Sequence, residues 1–129
     1  MIIDTSAIIA ILRDVAGAGD CALAIEKTRS RRISAANFVE TALVIDGSRD
    51  PIASRRFDEF FKEANISVEP VTLEQARLAR EAYRDFGTGS GYPAKLNFGD
   101  CFAYALAKTA GEPLLFKGDD FIHTDISSA

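Results

Sequence analysis

The sequence has few residues of the kinds that build disulfide frameworks or zinc sites. It contains no tryptophan, one histidine, one methionine and two cysteines in 129 residues. Cys21 and Cys101 lie far apart, and neither has a cysteine or histidine neighbour at metal-ligand spacing. We therefore expect neither a structural zinc site nor a disulfide, and we predict that both thiols are small buried hydrophobic groups.

The chain also lacks the long apolar runs of membrane proteins. No segment approaches the ~20 apolar residues that a transmembrane helix needs. The first residues lack the basic and apolar regions of a signal peptide, so we expect a cytoplasmic protein with no membrane segment. The composition, 47% hydrophobic and 26% charged, is typical of a globular chain, and residues 1–129 are predicted to form one domain.

The net charge of −4 argues against a protein that coats nucleic acid by bulk electrostatic attraction. It does not exclude an enzyme that acts on nucleic acid. Carboxylates that are grouped to hold a metal contribute negative formal charge, which the bound cations then offset.

Short apolar segments alternate with helical patterns along the whole chain. The predicted strands cover residues 1–4, 32–35, 66–70 and 113–116. Helices are predicted over residues 6–12, 21–28, 36–46, 51–65, 72–86 and 101–110. This alternation is typical of βαβ units, so we predict an α/β fold with helices on both faces of a mostly parallel sheet.

The first strand ends in a carboxylate. Residues 1–3 are apolar, and Asp4 lies where the predicted strand leaves the core. Thr5 or Ser6 is suited to cap the following helix, because a short hydroxyl accepts hydrogen bonds from the free N–H groups of a first turn. In an open α/β sheet, ligands bind at the carboxyl ends of the strands. Asp4 is therefore either a structural cap or part of a site.

Other carboxylates are predicted at the same edge of the sheet. Glu40 follows strand two, Asp100 opens a strongly apolar helix, and Asp119 or Asp120 follows strand four. Two like charges about 4 Å apart repel by roughly 4 kcal/mol at an effective dielectric constant near 20. Such a group must either bind protons or bind cations. Oxygen ligands favour Mg²⁺ or Mn²⁺, which are the usual metals of phosphoryl chemistry.

Four segments together resemble one known family. They are IIDTSAIIAIL at the start, NFVETAL at 37–43, NFGDCFAYALAK at 97–108 and LLFKGDDFIHTDI at 114–126. In this order, they resemble the PIN-domain ribonucleases and, more narrowly, the VapC-type toxins of bacterial toxin–antitoxin systems. The resemblance covers essentially the whole chain.

The resemblance implies a PIN-like three-layer α/β/α fold with a central sheet of four to five strands. It also implies Mg²⁺- or Mn²⁺-dependent cleavage of RNA, with tRNA as one candidate substrate, by a metal-activated water. The implied partners are a second copy of the chain and a VapB-like antitoxin that occupies the acidic groove. The family's metal ligands correspond to Asp4, Glu40 and Asp100, and Thr5 or Ser6 corresponds to a hydroxyl that steadies the site.

The fourth acidic position departs from the family pattern. Many relatives have Asp or Asn where this chain has Gly118. We favour Asp120 over Asp119 as the fourth catalytic and metal-binding carboxylate, and either could bind the metal through water. His123 is predicted to have a structural hydrogen-bonding role, because a metal-activated water needs no separate general base.

Two other functions are consistent with parts of the sequence. A phosphatase of the haloacid-dehalogenase type would need a second aspartate two residues after Asp4, where this chain has Ser6. A catalytically weak module that binds RNA or a partner through the acidic groove would retain the same carboxylates. The surface arginines 55, 56, 77, 80 and 84 are candidates for contacts with RNA or a partner, and the loop 87–95 is a candidate for substrate choice.

Overall fold

The computed structural model describes all residues from 1 to 129. Four strands are present, β1 Ile2–Ile3, β2 Arg32–Ser34, β3 Ser67–Glu69 and β4 Leu114–Leu115. Six helices connect and cover them: α1 Thr5–Leu12, α2 Ala18–Lys27, α3 Ala35–Asp46, α4 Pro51–Ala64, α5 Leu73–Phe86 and α6 Phe98–Ala110.

The strands form one parallel sheet in the order β3-β2-β1-β4. β1 pairs with β2 on one side and with β4 on the other, in the register Ile2 opposite Leu114 and Ile3 opposite Leu115. The predicted fold class is confirmed, and the first strand of the chain is an inner strand. Asp4 therefore leaves the sheet between two neighbouring strand ends.

The alternation of side chains along β1 and β4 divides the core into two halves. Ile2 and Leu114 pack in one apolar cluster with buried residues of α5 and α6. Ile3 and Leu115 pack in a second cluster with residues of α1 and α2. Because successive residues of a strand point to opposite faces, two-residue strands are enough to join both helical layers.

The aromatic stripe of α4 packs inside the protein. Phe57 is buried, and its ring lies 4.8 Å from that of Phe61 and 5.6 Å from that of Phe38 on α3. These rings hold α3 against α4, and α3 carries Glu40. The packing of the stripe thus positions one of the predicted site residues.

Several helix starts differ from the predictions. Thr5 and Ser6 do not cap α1: Asp4 does, and its carboxylate accepts a hydrogen bond from the Ser6 amide. The cap residue needs an extended backbone, which Asp4 has as the residue after a strand, whereas Thr5 and Ser6 are already helical. The prediction that Asp4 leaves the capping to the hydroxyls was therefore wrong.

Two further helices begin three residues earlier than predicted. α2 begins at Ala18 after Gly17, which has a φ of 89°, and Asp20 lies in its first turn. α6 begins at Phe98, and Asn97 is its cap. Asp50 caps α4 and Thr72 caps α5, and each side chain accepts a hydrogen bond from an amide of the first turn.

Both cysteines are buried and unpaired, as predicted. None of the six helices combines the length and apolar character that crossing a bilayer would require.

Candidate acidic active site

Asp4 is almost fully buried at the carboxyl end of β1, with 2% of its surface exposed. Its Oδ2 atom accepts hydrogen bonds from the Ser6 amide at 3.0 Å and from the Ser6 hydroxyl at 2.6 Å. The Lys117 amide donates to the Ser6 hydroxyl at 2.9 Å, which ties the loop after β4 to the start of α1. The other carboxylate oxygen, Oδ1, is buried and has no hydrogen-bond partner.

Burial raises the pKa of Asp4 from 3.8 to about 6. The two hydrogen bonds from Ser6 act in the opposite direction, and the negative charges of Glu40 and Asp120 add to the increase. A buried carboxylate with one unpaired oxygen is costly unless a cation or a proton neutralises it. Asp4 is therefore held in place through one oxygen, while the other remains available.

Asp100 is also anchored through one carboxylate oxygen, at the amino end of α6. Its Oδ2 atom accepts a hydrogen bond from the Asn97 amide at 3.0 Å, and its own amide donates to Asn97 Oδ1 at 2.9 Å. This reciprocal capping box fixes the carboxylate in the first turn of the helix. Burial, and then the charges of Asp4 and Asp120, raise the pKa of Asp100 to about 8, although the Asn97 hydrogen bond lowers it.

Glu40 reaches the site from α3, two helices away in the chain. Its Oε1 atom accepts a hydrogen bond from the Thr5 hydroxyl, and Asn37 Nδ2 lies 3.3 Å away. The Thr41 hydroxyl lies 3.1 Å from Thr5 Oγ1 and 2.7 Å from the Asn37 carbonyl oxygen. Thr5 therefore orients Glu40, and Ser6 orients Asp4.

The close approach of Glu40 to α6 requires a glycine at position 99. A Cβ atom on Gly99 would lie 1.9 Å from Glu40 Oε2, which is far inside van der Waals contact. The Asn37 side chain also donates to the Gly99 carbonyl oxygen at 2.9 Å, which joins α3 to α6. Glu40 thus lies directly against the helical turn that carries Asp100.

The sequence reasoning missed Asn37, Thr41 and Gly99. A signal was available for the first two, because Asn37, Glu40 and Thr41 are spaced to lie on one face of α3. Asn37 and Thr41 are fully buried on that face, in contrast to the exposed apolar side chains of Val39 and Leu43. The role of Gly99 depends on a contact across the fold and has no local signal.

The loop after β4 brings a fourth carboxylate to the group. Asp120 is exposed, and its charge contributes to the raised pKa of both Asp4 and Asp100. Asp119 is also exposed, but its charge is not among the causes of the raised pKa of Asp4 or of Asp100. His123 is exposed and makes no side-chain hydrogen bond within the chain, so the structural role predicted for it is not seen.

The chemistry of these groups fits a divalent cation. No three acidic, histidine or cysteine side chains are already arranged as a closed metal site. The buried and unpaired Asp4 Oδ1 nevertheless lacks a positive partner, and the four carboxylates share an edge without a salt bridge to any lysine or arginine. An all-oxygen group of this kind suits Mg²⁺ or Mn²⁺ better than zinc or copper.

Proteins of similar sequence match this chain over its whole length. The PIN domain family matches residues 1–127. Ribonuclease VapC28 of Mycobacterium tuberculosis is 58% identical over 129 residues, which cover 100% of this chain and 97% of that protein. Ribonuclease VapC30 of the same species is 45% identical over 128 residues, 99% of this chain and 97% of that protein.

Solved structures with lower identity share the fold. Mycobacterium tuberculosis VapC20, described as a toxin that cleaves the sarcin–ricin loop, has a TM-score of 0.78 and 17% identity, covering 99% of this chain and 97% of that one. FitAcB of Neisseria gonorrhoeae has a TM-score of 0.71 and 15% identity, covering 98% and 94%. At this level of identity the structures support the fold alone. The family match and the close relatives carry the assignment: the chain belongs to the PIN-domain family and, within it, to the VapC-type ribonucleases.

Proposed function

We propose that the chain is a Mg²⁺- or Mn²⁺-dependent endoribonuclease and the toxin of a type II toxin–antitoxin pair that acts in the cytoplasm. The observation that carries the proposal is the pairing of Asp4 and Asp100. Each is buried, has a raised pKa and is anchored through one oxygen to a helix amino end. Structural caps alone do not require two such carboxylates side by side.

The four carboxylates have distinct proposed roles. Asp4 and Asp100 bind the metal directly, while Glu40 and Asp120 bind it directly or through water. Asp119, which is exposed in the same loop, is the less favoured fourth ligand. A metal held by these carboxylates would supply a water of lowered pKa and offset the charge of the phosphodiester. Hydrolysis would join the water oxygen to phosphorus and break the P–O3′ bond, so that the product ends are a 5′-phosphate and a 3′-hydroxyl that has taken up a proton.

The supporting residues keep the site in order. Ser6 holds Asp4 Oδ2, which leaves the unpaired Oδ1 for the cation, and Asn97 fixes the position of Asp100 through its Oδ2. Thr5 and Asn37 hold Glu40 against Gly99. We propose that residues 1–129 act as a single PIN-like domain in this reaction.

An RNA cleavage assay tests the proposal. Purified protein is incubated with total RNA or with tRNA in Mg²⁺, in Mn²⁺ and in EDTA. We expect cleavage with either metal, products with 5′-phosphate and 3′-hydroxyl ends, and no cleavage in EDTA. Asp100→Asn should abolish cleavage, whereas Asp58→Asn, an exposed carboxylate on α4, serves as the matched control.

Two outcomes would overturn the mechanism. One is cleavage that persists in EDTA, and the other is full activity of Asp100→Asn. RNA binding without cleavage in any metal would favour the second candidate, a catalytically weak module that binds RNA or a partner through the acidic groove. Sequencing the 5′ ends of the products would identify the RNA and the cleaved bond.

The group of four carboxylates also supports a proposal about the antitoxin. A VapB-like partner would place an arginine or lysine among Asp4, Glu40, Asp100 and Asp120, where its charge replaces that of the cation. A solved relative at TM-score 0.70 is a toxin–antitoxin complex from Klebsiella pneumoniae. Titration with the small protein encoded next to this one should abolish RNase activity, and an antitoxin variant without its basic side chains should not.

We propose a homodimer from the exposed apolar surface of α3 and α4. Val39, Leu43 and Val44 of α3 are 39% to 67% exposed, and Ile52 of α4 is 60% exposed. Adjacent apolar side chains of this size on two packed helices are typical of a subunit interface. Leu43→Glu should convert a dimer into a monomer in sedimentation analysis, and a monomeric wild-type protein would refute the proposal.

A further inference from the structure

An apolar cavity of about 640 Å³ opens between α5 and α6, beside the acidic site. The α5 wall contributes Arg80 and Tyr83, and Thr88 follows from the next loop. The opposite wall includes Asn97, which caps α6, together with Phe98 and Phe102 of that helix. None of these six residues has a role in the metal site beyond the cap that Asn97 makes.

The cavity and the catalytic carboxylate share one helical turn. Asn97 lines the cavity and also forms the capping box that fixes Asp100. Phe98 is the first residue of α6 and Asp100 the third, so their side chains leave the same turn on different sides. A helix with its side chains is roughly 10 Å across, a distance that about three stacked nucleotides at roughly 3.4 Å each would span. A strand that crosses the amino end of α6 can contact both.

Phe98 is the most exposed large apolar side chain of the protein, with 78% of its surface accessible. Its ring is supported by Phe102, with a centroid distance of 4.9 Å and an interplanar angle of 74°. Tyr83, half exposed, lies on the opposite wall of the cavity. An exposed ring supported from one side, next to a site for phosphodiester chemistry, is a suitable stacking surface for an unpaired base.

The charge at the cavity favours a polyanion. Arg80 lines it, and Arg77 and Arg84 lie one turn away on the same face of α5. None of the three forms a salt bridge. In a chain of net charge −4, a row of free arginines next to an aromatic cavity matches a strand with phosphates outside and bases inside.

We infer that this cavity is a base-binding subsite, in which Phe98 stacks on an unpaired base of the RNA close to the cleaved bond while Arg80 contacts a phosphate. The inference rests on the proposed ribonuclease function. It assigns part of the substrate choice to the α5–α6 cavity. The competing occupant is an apolar segment of a protein partner. It fits less well, because an apolar segment would leave the row of arginines without a role.

The test is a scan with abasic nucleotides. A short cleavable RNA is prepared in versions that each lack one base near the cleaved bond, and kcat/KM is measured for wild type and for Phe98→Ala. At one position, removal of the base should lower kcat/KM of the wild type roughly tenfold, which corresponds to about 1.4 kcal/mol. For Phe98→Ala, removal of the base at that position should not lower kcat/KM further, because the base and the ring act as a pair.

Conservative variants and a matched control separate stacking from folding. Phe98→Tyr should remain sensitive to removal of that base. Phe98→Leu, which keeps the apolar volume but has no ring, should lose this sensitivity. Leu73→Ala removes a similarly exposed apolar side chain of α5, at 66%, and should leave kcat/KM unchanged. Arg80→Gln should weaken binding of all sequences about equally and reduce the salt dependence.

Each result bears on the inference. If wild type cleaves RNA but no base position is coupled to Phe98, the subsite is refuted and the ribonuclease function stands. If wild type cleaves no RNA, the proposed function fails, and the same abasic set then tests the subsite through dissociation constants. If Phe98→Ala leaves RNA kinetics intact but releases the antitoxin or a second copy of the chain, the cavity belongs to a protein partner and the inference is wrong.

Discussion

Replacing Asp4 with asparagine should stabilise the metal-free protein at neutral pH. The pKa of Asp4 is raised from 3.8 to about 6, chiefly by burial. Below pH 3.8 both the folded and the unfolded chain hold the proton, so this residue costs nothing. Between pH 3.8 and 6 only the unfolded chain releases it, and folding stability falls. Above pH 6 the loss is constant at about 3 kcal/mol, at 1.36 kcal/mol per pKa unit.

Asparagine removes this cost and keeps the local structure. Its oxygen can accept the same hydrogen bonds from Ser6, and asparagine is as good a helix cap as aspartate. Its NH₂ group would take the place of the unpaired Oδ1, where it faces Glu40 and Asp120 as a donor. Removing the Asp4 charge also removes one cause of the raised pKa of Asp100, which acts in the same stabilising direction. Groups away from the site titrate equally in both proteins, so their contributions cancel in the difference.

Thermal unfolding in EDTA measures the effect. For 129 residues, 3 kcal/mol corresponds to a Tm increase of roughly 10 °C at pH 8. The increase should be small at pH 4, because this pH is close to the ordinary aspartate pKa of 3.8 and the unfolded chain has released only part of its proton there. Asp58→Asn should change Tm little at either pH. A Tm gain of equal size at both pH values, or a loss at pH 8, would refute the reasoning that burial of the charge dominates.

Three further predictions follow from the site. Excess Mn²⁺ should raise the Tm of wild type by several degrees at pH 8 but much less at pH 6. The reason is that the cation competes with the proton on Asp100, whose pKa is raised to about 8. The Tm of Asp100→Asn should not respond to Mn²⁺. Gly99→Ala should lower kcat for RNA cleavage at least tenfold, since its Cβ displaces Glu40; unchanged kcat would show that Glu40 is dispensable. Thr41→Val removes a buried hydroxyl that contacts Thr5 and should lower the free energy of unfolding by about 1–2 kcal/mol in urea denaturation. A loss below about 0.5 kcal/mol would mean that the hydrogen bonds of this hydroxyl do not stabilise the fold.

Much of the fold was predictable because its signals are local. The apolar residues at the start of the chain, the cap at Asp50 before Pro51 and the glycine after α6 each specify a short piece of backbone. Parallel pairing followed from the alternation of strands and helices, and the sheet confirms it. The start of α6 was misplaced because the prediction used the apolar run from Cys101 and ignored the capping signal of Asn97, three residues before Asp100.

The site was predictable only as a set of carboxylates. Their positions after strands one, two and four indicated a shared edge. The charges of Glu40 and Asp120 do raise the pKa of Asp4, and those of Asp4 and Asp120 raise the pKa of Asp100. The supporting residues could not be identified in this way. Asn37 and Thr41 are ordinary polar residues of a helix until the packing of α3 against α6 buries them.

By itself the sequence determined which residue types are present and where the backbone turns, because periodicity and capping act over a few neighbouring residues. It therefore specified an α/β fold with acidic groups at the ends of its strands. Only the tertiary structure decided which oxygen of Asp4 is bonded and which is left free, that Glu40 lies against Gly99, and that an aromatic cavity adjoins Asp100. These features depend on contacts between residues tens of positions apart, and burial at those contacts sets the pKa values of the site.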